Sequence, residues 1–186
     1  MKHISFYLDF ISPYAYLAFE ELPQALMGLS YAVTYKPILF GALLKHHGHQ
    51  GPAEIPFKRD WTYRQVLWLA QQRGLPMDMP ALHPFNPLGL LRLAIAADAE
   101  RLRSLTATLA PARDSDDASV KAQLKSHTDE AIAAGVFGVP AFGVDDKVFW
   151  GLDALPMLRQ YLEGNPWFDG PQWNAAAHVP SGITRR

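Results

Sequence analysis

Tyr7-Leu8-Asp9-Phe10-Ile11-Ser12-Pro13-Tyr14-Ala15-Tyr16-Leu17 decides how this chain is read. Its first residues read as a buried strand, and Ser12-Pro13 reads as a stop followed by a helix start. A serine hydroxyl can accept a free backbone N–H of a first helical turn. Proline suits the first helical position, where its missing N–H is not needed. Ser12 is therefore expected where the end of a strand meets the positive end of a helix dipole, a place that stabilises an anionic sulfur or oxygen. A capping role alone would also explain a Ser-Pro pair.

Working outward, Ile4 to Phe10 reads as the first strand, Pro13 to Leu26 as a helix ended by Gly28, and Tyr31 to Tyr35 as a second strand stopped by Pro37. These form a βαβ unit, parallel and right-handed. A helical stretch from Leu39 to His47 follows. The loop His46-His47-Gly48-His49 invites a metal reading, but its spacing suits no single helix face and no carboxylate or thiol accompanies it, so no metal is expected. Phe57 to Arg73 reads as an amphipathic helix with Trp61, Val66, Leu67, Leu69 and Ala70 on its apolar side, and Trp61, Tyr63 and Trp68 as packing residues. Asn86-Pro87 opens another helix through Leu88, Leu91 and Ile95. Leu102, Leu105 and Leu109 continue its pattern up to a charged break at Pro111–Asp117. Ser119 to Ala134 is helical, with Val120, Leu124 and Ile132 inward.

Gly138-Val139-Pro140-Ala141-Phe142-Gly143-Val144 is the second informative stretch. Asp145-Asp146 reads as the turn of a hairpin joining Ala141–Val144 to Val148–Trp150. Asp153 reads as the cap of a short helix, Leu155 to Leu162. The tail from Asn165 is expected to pack on the surface at Trp167, Phe168 and Trp173 and to fray at Arg185 and Arg186.

Composition narrows the function. With 17 basic and 18 acidic residues the net charge is −1, which argues against a nucleic-acid partner. No run reaches the ~18 apolar residues of a membrane span. The N-terminus shows no apolar signal region, so a cytoplasmic location is expected. The chain contains no cysteine, which excludes disulfides, thiolate metal sites and CxxC redox chemistry. Any thiol must arrive with a ligand.

Asp9, Phe10, Ser12, Pro13, Tyr14, Tyr16, Leu17 and Ala18 together resemble the N-terminal motif of kappa-class glutathione transferases and bacterial 2-hydroxychromene-2-carboxylate isomerases, thioredoxin-fold relatives of DsbA. The resemblance implies an α/β thioredoxin fold with an all-helical insertion between its βαβ and ββα halves. Residues 1–38 and 115–164 would form the thioredoxin-like domain, 39–114 the helical lid, and 165–186 a surface tail. Gly-Val-Pro resembles the cis-proline loop of that fold, where the backbone of a bound peptide pairs as an added strand.

The resemblance also assigns roles. Ser12 would hydrogen-bond the sulfur of glutathione. Val139 and Pro140 would hold its backbone, and Asp153 in Trp150-Gly151-Leu152-Asp153 its γ-glutamyl amine. Lys58 and His49 would complete the cofactor site, with His49 in place of the family's asparagine. Leu44, Lys45, Glu54, Ile55 and His83 fall on the substrate side. Leu44 stands where the isomerases have a lysine, His83 near the place of an aromatic hydroxyl, and Ala154 where an arginine is common. The Ala97–Pro111 block is shorter than in the family.

The activity implied is glutathione-dependent interconversion of 2-hydroxychromene-2-carboxylate and trans-o-hydroxybenzylidenepyruvate, or of a similar keto acid of aromatic catabolism, by thiolate addition and elimination. A general kappa-like glutathione transferase or peroxidase, and a non-catalytic module binding glutathione or a peptide, are the alternatives. A homodimer is compatible with the family. A Ser–His–Asp hydrolase fits poorly, because Ser12 is not in a Gly-x-Ser-x-Gly elbow.

Overall fold

The structure, a computed structural model, describes residues 1–97, 115–180 and 182. Leu102, Leu105, Leu109, Arg185, Arg186 and the charged break before residue 115 lie outside the described residues, as does nearly all of the shortened block.

Four strands form one sheet in the order β2-β1-β3-β4. β1 (Lys2–Leu8) pairs parallel with β2 (Tyr31–Pro37) across α1 (Pro13–Ala25). β1 then pairs antiparallel with β3 (Ala141–Val144), which returns through the Asp145-Asp146 turn as β4 (Lys147–Trp150). This is the thioredoxin topology. Between β2 and β3 lie α2 (Phe40–His47), α3 (Pro56–Arg73), α4 (Leu88–Ala96) and α5 (Ala118–Ala133). After β4 come α6 (Leu155–Leu162) and α7 (Pro171–Ala176). No helix among the described residues is long and apolar enough to cross a membrane.

Strand alternation divides the core in two. Ile4, Phe6 and Leu8 of β1 point to one face with Phe142, Val144 and Phe149, under Leu17 and Leu22 of α1 and Leu158 of α6. Tyr7 and Ala141 point to the other, with Ile38, Leu43 of α2 and Ala131 of α5. A third cluster joins Leu91 and Ile95 of α4 to Val120 and Leu124 of α5.

Four expectations change. β1 ends at Leu8 rather than Phe10, because the chain turns at Asp9: its carboxylate accepts from the Ile11 and Phe40 N–H groups, and its carbonyl accepts from Ser12 N. Of the α3 aromatics, Tyr63 is half-buried, whereas Trp61 and Trp68 do not pack inward. Val66 and Ala70 alone are buried there, while Trp61 is 63% exposed and Trp68 and Leu67 also face out. Phe57, Trp61, Arg64 and Trp68 recur on one outward stripe, so of the expected apolar side Val66, Leu69 and Ala70 face inward while Trp61 and Leu67 do not. Asp153 does not cap α6. It lies in a 3-10 turn, Leu152–Ala154, and the N-cap is Ala154 without a side-chain bond. Phe168 of the tail goes deeper than the surface, 3% exposed and 5.8 Å from the Phe149 ring.

Candidate functional site

The two informative stretches, 127 residues apart, meet at Ser12. Its hydroxyl oxygen accepts from Ala15 N at 3.3 Å, the N-cap bond of α1, and its hydrogen is donated to the Val139 carbonyl at 3.3 Å. The side chain is 9% exposed. The Val139–Pro140 peptide is cis. The Pro140 carbonyl accepts from Gly151 N at 2.9 Å, which ties the Trp150-Gly151-Leu152-Asp153 segment to the same loop.

A cleft of about 640 Å³ lies along this seam. Val139, Pro140, Trp150, Gly151, Leu152 and Asp153 form one wall, and Gln65, Leu69 and Arg73 of α3 the opposite one. Gly151 has φ +101°, and a Cβ there would sit 2.4 Å from the Asp153 carboxylate. Only glycine lets the chain turn at this point while Asp153 keeps its place. The exposed carboxylate, relieved of any capping bond, is available to an ammonium group.

A second cavity of about 400 Å³ opens on the other side of Ser12. Ile11, Ser12, Phe40, Leu44 and Lys45 line it, with His49, Glu54, Thr62, Tyr63 and His83. Glu54 turns back to accept from Gly51 N. Tyr14 borders both spaces and donates its hydroxyl to Gln65 Oε1 at 2.6 Å. Burial first, and then the Asp153 charge, hold the Tyr14 phenol above its usual pKa, so it remains a donor at neutral pH.

Asp9 sits under the turn, 1% exposed. Burial raises its pKa to about 6, against the lowering effect of backbone N–H bonds from Phe40 and Ile11. It clamps the start of α2 to the Ser12 turn, with Phe40 N at 2.9 Å.

Of the residues expected at the site, Val139, Pro140, Trp150, Gly151, Leu152 and Asp153 line the cleft, and Ser12, bonded to the Val139 carbonyl behind that wall, opens on the second cavity. Leu44, Lys45, His49, Glu54 and His83 are brought to the second cavity. Lys58 and Ile55 are exposed and line neither space. His47 Nε2 donates to the Val136 carbonyl at 3.0 Å and so serves the fold. Among the described residues no cluster of three or more His, Asp or Glu side chains is placed to hold a metal ion.

Sequence reasoning missed Tyr14, Gln65, Arg73, Thr62 and Tyr63. Gln65, Leu69 and Arg73 recur at a spacing of four and mark the inward stripe of α3, but polar residues at helical spacing read as solvated.

The model of the DSBA-like thioredoxin domain family matches residues 3–112 and 107–163. Glutathione S-transferase kappa 2 of Caenorhabditis elegans is 27% identical over 91% of this chain and 95% of its own. The 2-hydroxychromene-2-carboxylate isomerase of Sphingobium xenophagum is 26% identical over 87% of this chain and 98% of its own. A solved structure of 2-hydroxychromene-2-carboxylate isomerase, 22% identical, superposes with a TM-score of 0.70, covering 96% of this chain and all of that one. The chain belongs to the DSBA-like thioredoxin domain family.

Proposed function

We propose that this protein is a glutathione-dependent isomerase of a small aromatic keto acid, of the 2-hydroxychromene-2-carboxylate type. The observation that carries the reading is the position of Ser12: a buried helix-capping hydroxyl that lines a mostly apolar cavity and bonds the carbonyl of Val139, whose peptide edge walls the neighbouring cleft.

The cleft fits the cofactor by its donor set. The Val139 backbone offers a strand edge to a peptide. Asp153 offers a carboxylate to the γ-glutamyl ammonium, and Trp150, 53% exposed, a flat apolar wall. The Ser12 hydroxyl, now on a long bond to Val139 O, would turn to a thiolate, since hydrogen bonds to an anion are shorter and stronger. The α1 N-terminus adds its dipole. Bound glutathione supplies a soft, removable nucleophile for reversible addition to an enone, which frees rotation about the former double bond.

On the substrate side, Lys45 offers the positive charge that a carboxylate needs, one position from where the isomerases carry theirs. Leu44 and Phe40 give the aromatic ring an apolar wall. Reduced glutathione is plentiful in reducing compartments, which supports a cytoplasmic setting for the reaction.

The test follows the absorbance of trans-o-hydroxybenzylidenepyruvate with enzyme, with and without glutathione. Conversion that requires glutathione is expected. Saturable glutathione binding without conversion of this or any related enone acid would contradict the isomerase and leave a transferase or a binding module.

A further inference from the structure

His83 and Tyr63 form a directed relay in the wall of the second cavity. His83 lies on the irregular loop before α4, and Tyr63 on α3. His83 Nε2 is 2.8 Å from the Ile11 carbonyl, one residue before Ser12. A carbonyl can only accept, so Nε2 carries a hydrogen. On the neutral ring Nδ1 is then bare, and it accepts the Tyr63 hydroxyl at 2.7 Å. A longer bond from the same hydroxyl, 3.4 Å, reaches the His83 carbonyl. In this state the one phenolic hydrogen is committed to the wall. The oxygen can show the cavity only lone pairs, which repel an anion.

Protonation of His83 reverses the relay. Nδ1–H then donates to the Tyr63 oxygen, and the phenolic hydrogen is free to turn into the cavity. We propose that the cavity beside Ser12 takes anionic oxygen acids by proton-linked binding: His83 takes up one proton from solvent, and Tyr63 delivers its hydrogen to the ligand's carboxylate or enolate oxygen. His83 is a positioning residue that acts through Tyr63. The inference rests on the proposed function only in treating this cavity as the substrate side.

The other charged groups around the pair do not supply the same device. Lys45 and His49 line the cavity from α2 and its exit, and Glu54 from the turn before α3. Arg59 and Asp60 act on Tyr63 in opposite senses. Asp78 lines the outer side of His83, and the Phe85 ring stands 6.0 Å from it. Lys45 offers a positive charge to the ligand and has no part in the His83–Tyr63 contact. His49 is the one other imidazole in the wall, so it must be tested beside His83. Imidazole changes charge between about pH 5 and 8, which sets the window.

The probe is trans-cinnamate, an aromatic carboxylate ionised throughout that window. Its binding to the full chain is measured by calorimetry at pH 6 and pH 8, and at pH 7.5 in phosphate and Tris, whose different ionisation heats report proton uptake. Expected are uptake of up to one proton and binding at least about tenfold tighter at pH 6 than at pH 8. H83Q should lose both the uptake and the pH dependence, and H49Q should keep them. Y63F, with an unchanged circular dichroism spectrum, should weaken the pH 6 binding about tenfold. Absence of cinnamate binding, binding without proton uptake, or uptake that survives in H83Q would each overturn the inference. Should H83Q not fold, uptake in the wild type and its loss of tight binding in Y63F decide the matter. Glutathione binding is measured on the same preparations. If it fails while cinnamate still takes up its proton, the proposed function falls and the relay stands; the converse sinks only the relay.

Discussion

At the scale of the residue, Ser12 is held on two sides, by Ala15 N and the Val139 carbonyl, and Asp9 fixes the turn that carries it. Asp9 is where pH acts on the fold. Its folded pKa, about 6, lies above the 3.8 of a free carboxyl, because burial penalises the charge. The folded state holds this proton more tightly than the unfolded chain does. Asp9 therefore contributes most below about pH 4, and that contribution is lost as pH rises through about 6. A shift of this size corresponds to about 3 kcal/mol. The unfolding free energy of the wild type minus that of Asp9→Asn, from urea titrations, should fall by up to that amount between pH 4 and 7. A difference that rises with pH would contradict the assignment. Ser12 could be read from the sequence because capping is a local matter. The Tyr63–His83 pair could not, since it joins a helix to an irregular loop and depends on where the Ile11 carbonyl points.

At the scale of the element, the turn after β4 shows what a local reading misses. Asp153, two residues before a proline-bearing helix that starts at Leu155, looks like a cap. The 3-10 turn at Leu152–Ala154 instead moves the cap to Ala154 and leaves the carboxylate in the cleft. Gly151 makes this possible, and Gly151→Ala tests it. An alanine at φ +101° costs about 1–3 kcal/mol, and its Cβ would force Asp153 out of place. Urea unfolding should show the loss, and glutathione affinity by calorimetry should drop about tenfold. Unchanged affinity would remove Asp153 from the cofactor site. The α3 helix was read in part correctly, with Val66, Leu69 and Ala70 inward, but Trp61 and Leu67 were placed on the same side and turn out. Trp61 and Trp68 carry the largest apolar surface, but the core cluster shared with α1 takes Val66, Leu69 and Ala70. Size of side chain does not say which face meets a partner.

At the scale of the whole molecule, the order of elements was enough to give the sheet. A βαβ start and a ββα finish, with helices between, allow few arrangements, and β2-β1-β3-β4 is the one adopted. What joins the ends was less legible. The Val139 carbonyl comes to Ser12 only because β3 pairs antiparallel to β1, Ala141 opposite Tyr7. That register places a peptide edge beside a helix N-terminus, the arrangement on which the proposed use of a borrowed thiol rests. The most direct test is the ultraviolet difference spectrum of glutathione mixed with the protein and titrated across pH, for the wild type and Ser12→Ala. The variant should lose about 1 kcal/mol of cap stability and still fold. A thiolate band at neutral pH in the wild type, absent from the variant, is the predicted result. Saturable glutathione binding with no band, or a band of equal strength in Ser12→Ala, would contradict the role given to Ser12.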